Sequence, residues 1–119
     1  MEFKTEKPIY RQIADYVYES IASGSWPEAQ RVPSVRDLAA QLQVNPNTVM
    51  RAYERLQAAE IITNSRGIGY FVAEGAKQRV VELKRAEFFE TTLPEIFDTM
   101  ETLGISWEEV RLAYEKRGE

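Results

Sequence analysis

Residues 43–56, "QVNPNTVMRAYERL", are the stretch that decides the fold. Asn45 is a helix-capping residue, and Pro46 falls at the first helical position, where its missing N–H costs no hydrogen bond. Apolar residues then recur at the three- and four-residue spacing of one buried helical stripe, at Val49, Ala52, Tyr53 and Leu56. The function depends on what the exposed residues between them contact, and these are Asn47, Thr48, Met50, Arg51 and Arg55.

The composition excludes several kinds of chemistry. The 119 residues include no cysteine and no histidine, which excludes disulfides, the common zinc sites and Cys–His or Ser–His catalysis. With 44% hydrophobic and 29% charged residues, we expect a soluble chain that forms either one ordinary domain or a small domain with an appendage. The initial "MEFKTEKPIY" lacks the apolar run of a signal peptide, and no segment is long enough for a membrane span. We therefore expect a cytoplasmic protein without a cofactor, a metal site, catalytic residues or a membrane partner.

The charge is distributed unevenly along the chain. The net charge of −4 argues mildly against a polyanionic partner. Residues 31–73, however, hold five arginines against three acidic residues, a local net charge of +2. Residues 76–119 hold seven basic and ten acidic residues, a local net charge of −3. An anionic partner is therefore expected to bind the first of these segments.

Local signals also predict the elements before the quoted helix. A helical stripe covers residues 9–23. Residues 24–34 are expected to form a loop that is held in place by Trp26. A second helix begins at Ser34, with Asp37 three residues later as its capping-box partner. A tight turn then separates this helix from the next one.

The segment after the quoted helix completes a recognisable order of elements. The third helix is predicted over residues 45–59, and two short strands over 61–64 and 69–72, with a turn at 65–67. Helix, helix, tight turn, helix and β-hairpin is the order of a winged helix-turn-helix. In that fold the second helix of the pair lies in the major groove of DNA, where its N-terminal residues reach base edges. The predicted fold class is therefore mainly α with a small β-hairpin.

This winged helix-turn-helix domain is assigned to residues 1–75, and a two-helix C-terminal segment to residues 76–119. The C-terminal segment carries an apolar seam at three- and four-residue spacing, through Ala86, Phe89, Leu93, Ile96, Met100 and Leu103. Pro94 interrupts the seam, and two interpretations stay open: the helix kinks there, or Thr92 caps a second helix. The unchanged phase of the seam favours one kinked helix. A last short helix starts at Ser106.

The apolar seam needs another surface to pack against. It could pack on its own domain, but it is larger than a lone helical hairpin can hide, and a second copy would hide it better. A homodimer also suits DNA recognition, because a two-fold protein reads two half-sites. We therefore predict a homodimer and assign its interface to Phe89, Leu93, Ile96, Phe97, Met100 and Leu103.

Three stretches carry a resemblance to a known family. They are "PIYRQIADYVYESIASG", "RVPSVRDLAAQLQVNPNTVMRAYERL" and "GIGYFV", which lie within residues 8–73. These stretches resemble the DNA-binding domain of the GntR family of bacterial transcription regulators, and the short helical tail resembles that of the YtrA-like subfamily. The resemblance implies a homodimeric repressor that binds double-stranded DNA at a palindromic operator.

The resemblance also implies which residues contact DNA. The second helix contributes its arginine, Arg36, in "PSVRDLA", and Ser34 begins that helix. The recognition helix contributes its leading polar residues and Arg51, and the tip of the wing contributes Arg66 and Gly67. The complete set of predicted DNA-binding residues is Ser34, Arg36, Asn45, Asn47, Thr48, Arg51, Arg66 and Gly67.

Some positions have a simpler structural interpretation or depart from the family. Arg31 either holds the loop or reaches a phosphate, and Tyr53 is interpreted as a core residue. Ala29, Gln43 and Glu60 stand where the family usually has glycine. If Glu60 must adopt a left-handed conformation, the cost is about 1 kcal/mol. None of these three positions is a predicted contact, so they put local geometry in question and leave the predicted function unchanged.

The sequence leaves other functional questions open. It does not reveal the operator, the regulated genes, or whether a small-molecule effector exists. An alternative function is a winged-helix protein-interaction module, which the acidic net charge favours. Salt dependence separates the two functions, because DNA binding by several arginines must weaken steeply with salt.

Overall fold

The computed structural model describes residues 8–118, and they divide into two compact units after Glu82. The first unit extends beyond residue 75 because Ala76 and Val80, on the fourth helix, are fully buried in its core. The elements in chain order are α1 (Ile9–Ala22), α2 (Val35–Leu42), α3 (Pro46–Ala58), β1 (Ile62–Ser65), β2 (Gly69–Val72), α4 (Ala76–Glu87), a π-helical turn (Phe88–Thr92), α5 (Leu93–Leu103) and α6 (Trp107–Lys116). A mainly helical chain with one antiparallel hairpin confirms the predicted fold class.

The core of the first unit forms from the predicted helical stripes. Every member of the α3 stripe is 0% exposed, namely Val49, Ala52, Tyr53 and Leu56. From α1, Ile13, Val17 and Ile21 pack into the same cluster, and Leu38 joins it from α2. Burying such side chains contributes about 1.5–3 kcal/mol each. This burial fixes the three helices against one another and leaves the opposite face of α3 open.

The two helices of the helix-turn-helix begin at side-chain caps. Asn45 Oδ1 accepts a hydrogen bond from the backbone N–H of Asn47 at 2.8 Å, as its role as N-cap requires. Ser34 Oγ accepts the N–H of Asp37 at 3.0 Å. The capping box predicted for this pair is wrong in its second half, because no carboxylate bond returns from Asp37 to the backbone of Ser34. Aspartate is one methylene shorter than the glutamate that makes this return bond.

The wing is the antiparallel pair of β1 and β2. Its register runs from Ile62 opposite Val72 to Ser65 opposite Gly69, so β1 begins and ends one residue later than predicted. Ile61 lies between α3 and β1, and its N–H donates to the carbonyl of Leu56, in the last turn of α3, at 2.9 Å. The turn therefore starts after Ser65.

The loop between α1 and α2 was only partly predicted. Trp26 does hold it, packing edge-on against Tyr16 with ring centroids 6.0 Å apart. Its last part, however, pairs with β2. The N–H of Val72 donates to the carbonyl of Gln30, and the N–H of Val32 donates to the carbonyl of Tyr70, each at 2.9 Å. This segment ties the start of α2 to the wing.

Three non-glycine residues adopt left-handed backbone conformations in the described part of the chain: Ala29 (φ 67°), Gln43 (φ 58°) and Glu60 (φ 61°). They are the same three positions at which the family usually has glycine. Glu60 thus has the left-handed conformation whose cost was considered above. Its carbonyl accepts a hydrogen bond from Arg79 Nε at 3.0 Å, so α4 holds this junction in place.

The backbone of the second unit distinguishes between the two interpretations of Pro94, one helix or two. Thr92 has α-helical angles (φ −68°, ψ −47°) and makes no side-chain cap, so a separate helix starting there is wrong. The helical backbone continues through a π-helical turn, in which the N–H of Leu93 donates to the carbonyl of Phe88. The wider turn fits a proline, which has no N–H and whose ring clashes with the carbonyl four residues earlier. Of the two interpretations, the one in which a single helix continues across Pro94 is supported.

The last helix, α6, starts as predicted. Ser106 Oγ accepts the N–H of Glu109 at 3.2 Å, and the Glu109 carboxylate accepts the N–H of Ser106 at 2.8 Å, which completes a capping box. Gly104, in the left-handed conformation (φ 67°), ends α5 just before it.

Candidate nucleic-acid interface

Two concave surfaces of the first unit hold most of the predicted DNA-binding residues. We call the first the α1–α3 surface; it encloses about 610 Å³ and is lined by Pro8, Ile9, Tyr10, Asn45, Asn47, Thr48 and Arg51. We call the second the α3–wing surface; it encloses about 420 Å³, and its lining includes Ser34, Arg36, Met50, Asn64, Gly67 and Ile68. Seven of the eight predicted residues therefore line one surface or the other. Arg66, the remaining one, is exposed at the wing tip and lines neither.

The leading end of α3 lies at the α1–α3 surface. Asn45 uses its side-chain oxygen to cap the helix. Asn47 is exposed and Thr48 is half-buried, and both line the same surface. The first backbone N–H groups of a helix carry the positive end of its dipole, which favours a negatively charged partner such as phosphate. This end of α3 therefore combines the polar side chains of Asn47 and Thr48 with a favourable field.

Arg51 does not extend freely into solvent. Its guanidinium carbon lies 4.4 Å from the ring centroid of Tyr10, and that of Arg55 lies 4.5 Å from the same ring. Cation–π attraction thus holds two positive charges on one aromatic side chain of α1. Within residues 8–118 no carboxylate forms an ion pair with either arginine. The pair therefore keeps its charge available to an anion.

The α3–wing surface is held by a buried tyrosine. The Tyr53 hydroxyl donates to the carbonyl of Pro33 at 2.7 Å, which fixes the residues just before α2. Its ring packs edge-on against Tyr70 of β2, with centroids 5.0 Å apart. Burial, with smaller contributions from Tyr70 and Tyr16, raises the pKa of Tyr53, so its hydroxyl stays a donor. The interpretation of Tyr53 as a core residue is confirmed.

Arg31 lies along the wing. Its backbone bridges to Phe71, and a Cβ placed on Gly69 would meet the Arg31 Nε at 3.0 Å. Gly69 therefore leaves room for the guanidinium to lie against the strand. Of the two roles considered for Arg31, this contact supports holding the loop.

Sequence reasoning missed two members of this interface. Tyr10 lies within the helical stripe predicted over residues 9–23, and no local pattern shows that its ring meets α3. Arg55 could have been found, because residues four apart lie on the same face of a helix and Arg55 follows Arg51 at that spacing. The contact between these helices is a tertiary feature, which a single sequence does not display.

The second unit leaves the apolar residues that were assigned to dimerisation exposed or half-buried. No residue of the π-helical turn, α5 or α6 is buried. An apolar groove of about 910 Å³, which we call the tail groove, is lined by Phe88, Leu93, Ile96, Phe97, Met100, Trp107, Val110, Arg111, Tyr114 and Glu115. Four of the six assigned residues line it. The other two, Phe89 (57% exposed) and Leu103 (65% exposed), lie outside its lining.

Other kinds of site find no support in the part of the chain that the structure describes. Residues 8–118 contain no cluster of acidic side chains that could hold a metal ion. No helix in this range is both long enough and apolar enough to cross a membrane.

The fold and these surfaces define a winged helix-turn-helix protein of the DNA-binding class. Residues 9–72 match the family described as bacterial regulatory proteins, gntR family. The chain is 34% identical over 109 residues to the HTH-type transcriptional regulator YhcF of Bacillus subtilis, which covers 92% of this chain and 88% of that protein. It is 40% identical over 81 residues to the HTH-type transcriptional repressor YtrA of the same organism, which covers 68% of this chain and 62% of that protein.

Solved structures agree with these relatives. A GntR family transcriptional regulator from Listeria monocytogenes matches with a TM-score of 0.75 and 34% identity, over 98% of this chain and 100% of that one. The DNA-binding domain of AraR in complex with the operator ORR3 matches with a TM-score of 0.55 and 27% identity, over 61% of this chain and 86% of that one. The chain belongs to the GntR family, and its relatives include regulators named YtrA. It is a transcriptional regulator with a DNA-binding domain and not an enzyme.

Proposed function

We propose that this regulator is a cytoplasmic homodimeric repressor that binds a palindromic operator through α3 and the wing. The observation that carries the proposal is the arrangement around α3. Its exposed face lies between the α1–α3 surface, with Arg51 and Arg55 on one ring, and the α3–wing surface, with Arg36 and Gly67. A duplex seated on α3 would meet positive charge on both sides.

Most of the predicted residues then have a role in the complex. The recognition helix enters the major groove, with Asn47 and Thr48 at its rim. Arg36 holds the flanking backbone, and the wing brings Arg66 and Gly67 to the adjacent minor groove. Contacts of this kind to phosphates set the register of a protein on DNA without reading sequence.

The stacking on Tyr10 favours a phosphate contact for Arg51 over a base contact. A guanidinium whose central carbon lies 4.4 Å from the centroid of a ring on α1 is directed to the side of the recognition helix. Arg55, on the same ring, adds a second charge for the same strand. We therefore place both arginines on the DNA backbone.

The homodimer rests on the unburied tail. Helix α5 has a clear apolar face and no buried residue, although burial of such faces is what stabilises helices in proteins. A contiguous set of exposed apolar side chains is typical of a protein–protein interface. A two-fold arrangement through Leu93, Ile96, Phe97 and Met100 would also supply the second recognition helix that a palindrome requires. The assignment as a repressor is supported by the relative named a repressor, YtrA.

Selection of binding sites from a random double-stranded DNA library tests the operator. We expect an inverted repeat with half-sites about one helical turn apart, roughly 34–36 Å. Failure to enrich any sequence, by a protein that is folded and dimeric, would contradict sequence-specific binding. Sedimentation of the free protein tests the dimer independently.

Arg51→Ala tests the assigned role of that arginine on the selected operator. A lost phosphate contact should weaken all sequences alike and reduce the slope of log K against log salt by about one. Loss of preference at one base position, with a cost of about 1–3 kcal/mol, would show that Arg51 reads a base instead. Lys116→Ala, which removes one charge from the last turn of α6, is the charge-matched control and should leave affinity unchanged.

A further inference from the structure

One exposed residue of α3 has no role in the function proposed above. Met50 precedes Arg51 and is 40% exposed. It lines the α3–wing surface, whereas Arg51 lines the α1–α3 surface. The open face of α3 therefore presents Arg51 on the side of α1 and Met50 on the side of the wing.

The α3–wing surface concentrates exposed apolar side chains. Among the described residues of the first unit, four large apolar side chains are exposed: Ile9, Met50, Ile68 and Val81. Two of them, Met50 and Ile68, line this one surface. The same surface carries Ser34 and Arg36, which are predicted to contact DNA. An apolar residue is therefore presented among groups suited to phosphate and base contacts.

We propose that Met50 contacts the 5-methyl group of a thymine in the major groove and so sets the preference at one position of each half-site. This inference rests on the proposed function, because it needs α3 to occupy that groove. The thymine methyl is the apolar group that base edges present in the major groove. Methionine suits such a contact, because its flexible thioether adapts to irregular apolar surfaces.

Ile68 has a different expected position and serves as an internal comparison. It lies in the wing turn next to Gly67, and its side chain is 61% exposed. The wing is assigned to the minor groove, where A·T and T·A pairs present the same acceptors and no methyl group. Of the two exposed apolar residues, Met50 alone is thus placed to distinguish thymine.

Replacing single thymines of the selected operator by deoxyuridine tests this contact, because the change removes only the methyl group. Affinity of the wild-type protein should fall about three- to fivefold at one position of a half-site, as expected for one buried methyl. At that position Met50→Ala should bind the thymine and uracil duplexes equally. Met50→Leu, which keeps an apolar side chain, should retain the difference, and Ile68→Ala should retain it in full.

The outcomes separate this inference from the proposed function. A wild-type protein that selects no DNA sequence overturns both. Selective binding in which no uracil substitution weakens the wild type overturns the Met50 contact alone, as does an equal uracil effect in wild type and Met50→Ala. Met50 is exposed, so thermal unfolding of Met50→Ala should match the wild type and exclude a folding defect as the cause.

Discussion

Replacing Tyr10 by leucine is expected to weaken operator binding while the domain stays folded. Leucine keeps an apolar side chain against the core but removes the ring on which Arg51 and Arg55 lie, at 4.4 and 4.5 Å. An exposed cation–π contact contributes about 0.5–1 kcal/mol. Two such contacts limit the effect of the ring on arginine placement to about 1–2 kcal/mol, so affinity should fall roughly 5- to 30-fold.

The salt dependence of binding gives this prediction its sharpest readout. Each phosphate contact contributes about 0.9 to the slope of log K against log salt on duplex DNA. If both arginines lose their contacts in Tyr10→Leu, the slope should fall by up to about two. Fluorescence anisotropy of a labelled operator, between about 50 and 200 mM salt, measures affinity and slope together.

Tyr10→Phe is the matched control, because it keeps the ring and removes only the hydroxyl. It should bind with wild-type affinity and slope. If Tyr10→Phe binds the operator as weakly as Tyr10→Leu, the effect comes from the hydroxyl. If Tyr10→Leu binds as tightly as the wild type, the ring has no role in binding. Equal thermal unfolding of the three proteins would establish that the fold is intact.

Three further changes test the fold and the dimer. Glu60→Gly should raise the free energy of unfolding by about 0.5–1 kcal/mol and Tm by roughly 2–8 °C, because glycine relieves the left-handed strain at φ 61°; Glu60→Ala, which stays strained, should show no such gain. Tyr53→Phe leaves the carbonyl of Pro33 without its 2.7 Å donor and should cost about 1–3 kcal/mol in urea unfolding at an unchanged m value; an unchanged midpoint would remove this bond from the account of the α3–wing surface. Phe97→Glu places a charge in the tail groove and should yield monomers in sedimentation with weaker operator binding, whereas persistence of the dimer would exclude that groove as its interface.

The helices of the first unit could be predicted because their signals are local. The stripe of α3, from Val49 to Leu56, and the caps at Ser34 and Asn45 each lie within one or two turns of the residues they affect. The predicted α1 likewise ends one residue from the observed Ala22. Periodicity and capping act through neighbours in the chain, and a single sequence displays both.

The misjudged parts of the fold depend on distant residues. The pairing of Gln30 with Val72 joins segments more than forty residues apart, and "PEAQRV" has no alternation to predict it. Strand β1 starts one residue later than predicted because the N–H of Ile61 donates to the carbonyl of Leu56 in α3. The candidate site shows the same division. Positions such as Arg36 and Asn47 could be assigned from the resemblance, whereas the ring of Tyr10 under two arginines is a contact between helices.

The left-handed residues depend both on local hydrogen bonds and on the packing of distant residues. At Ala29 and Gln43 an L-residue costs about 1–2 kcal/mol, so the surrounding structure must impose the conformation. The left-handed conformation of Gln43 is imposed by the turn, in which the N–H groups of Gln43 and Val44 both donate to the carbonyl of Ala39. This turn sets how α2 and α3 cross, and therefore where Arg36 lies relative to the recognition helix. Because the packing of the core fixes that crossing, the chain can dispense with glycine there and keep its predicted contact residues in place.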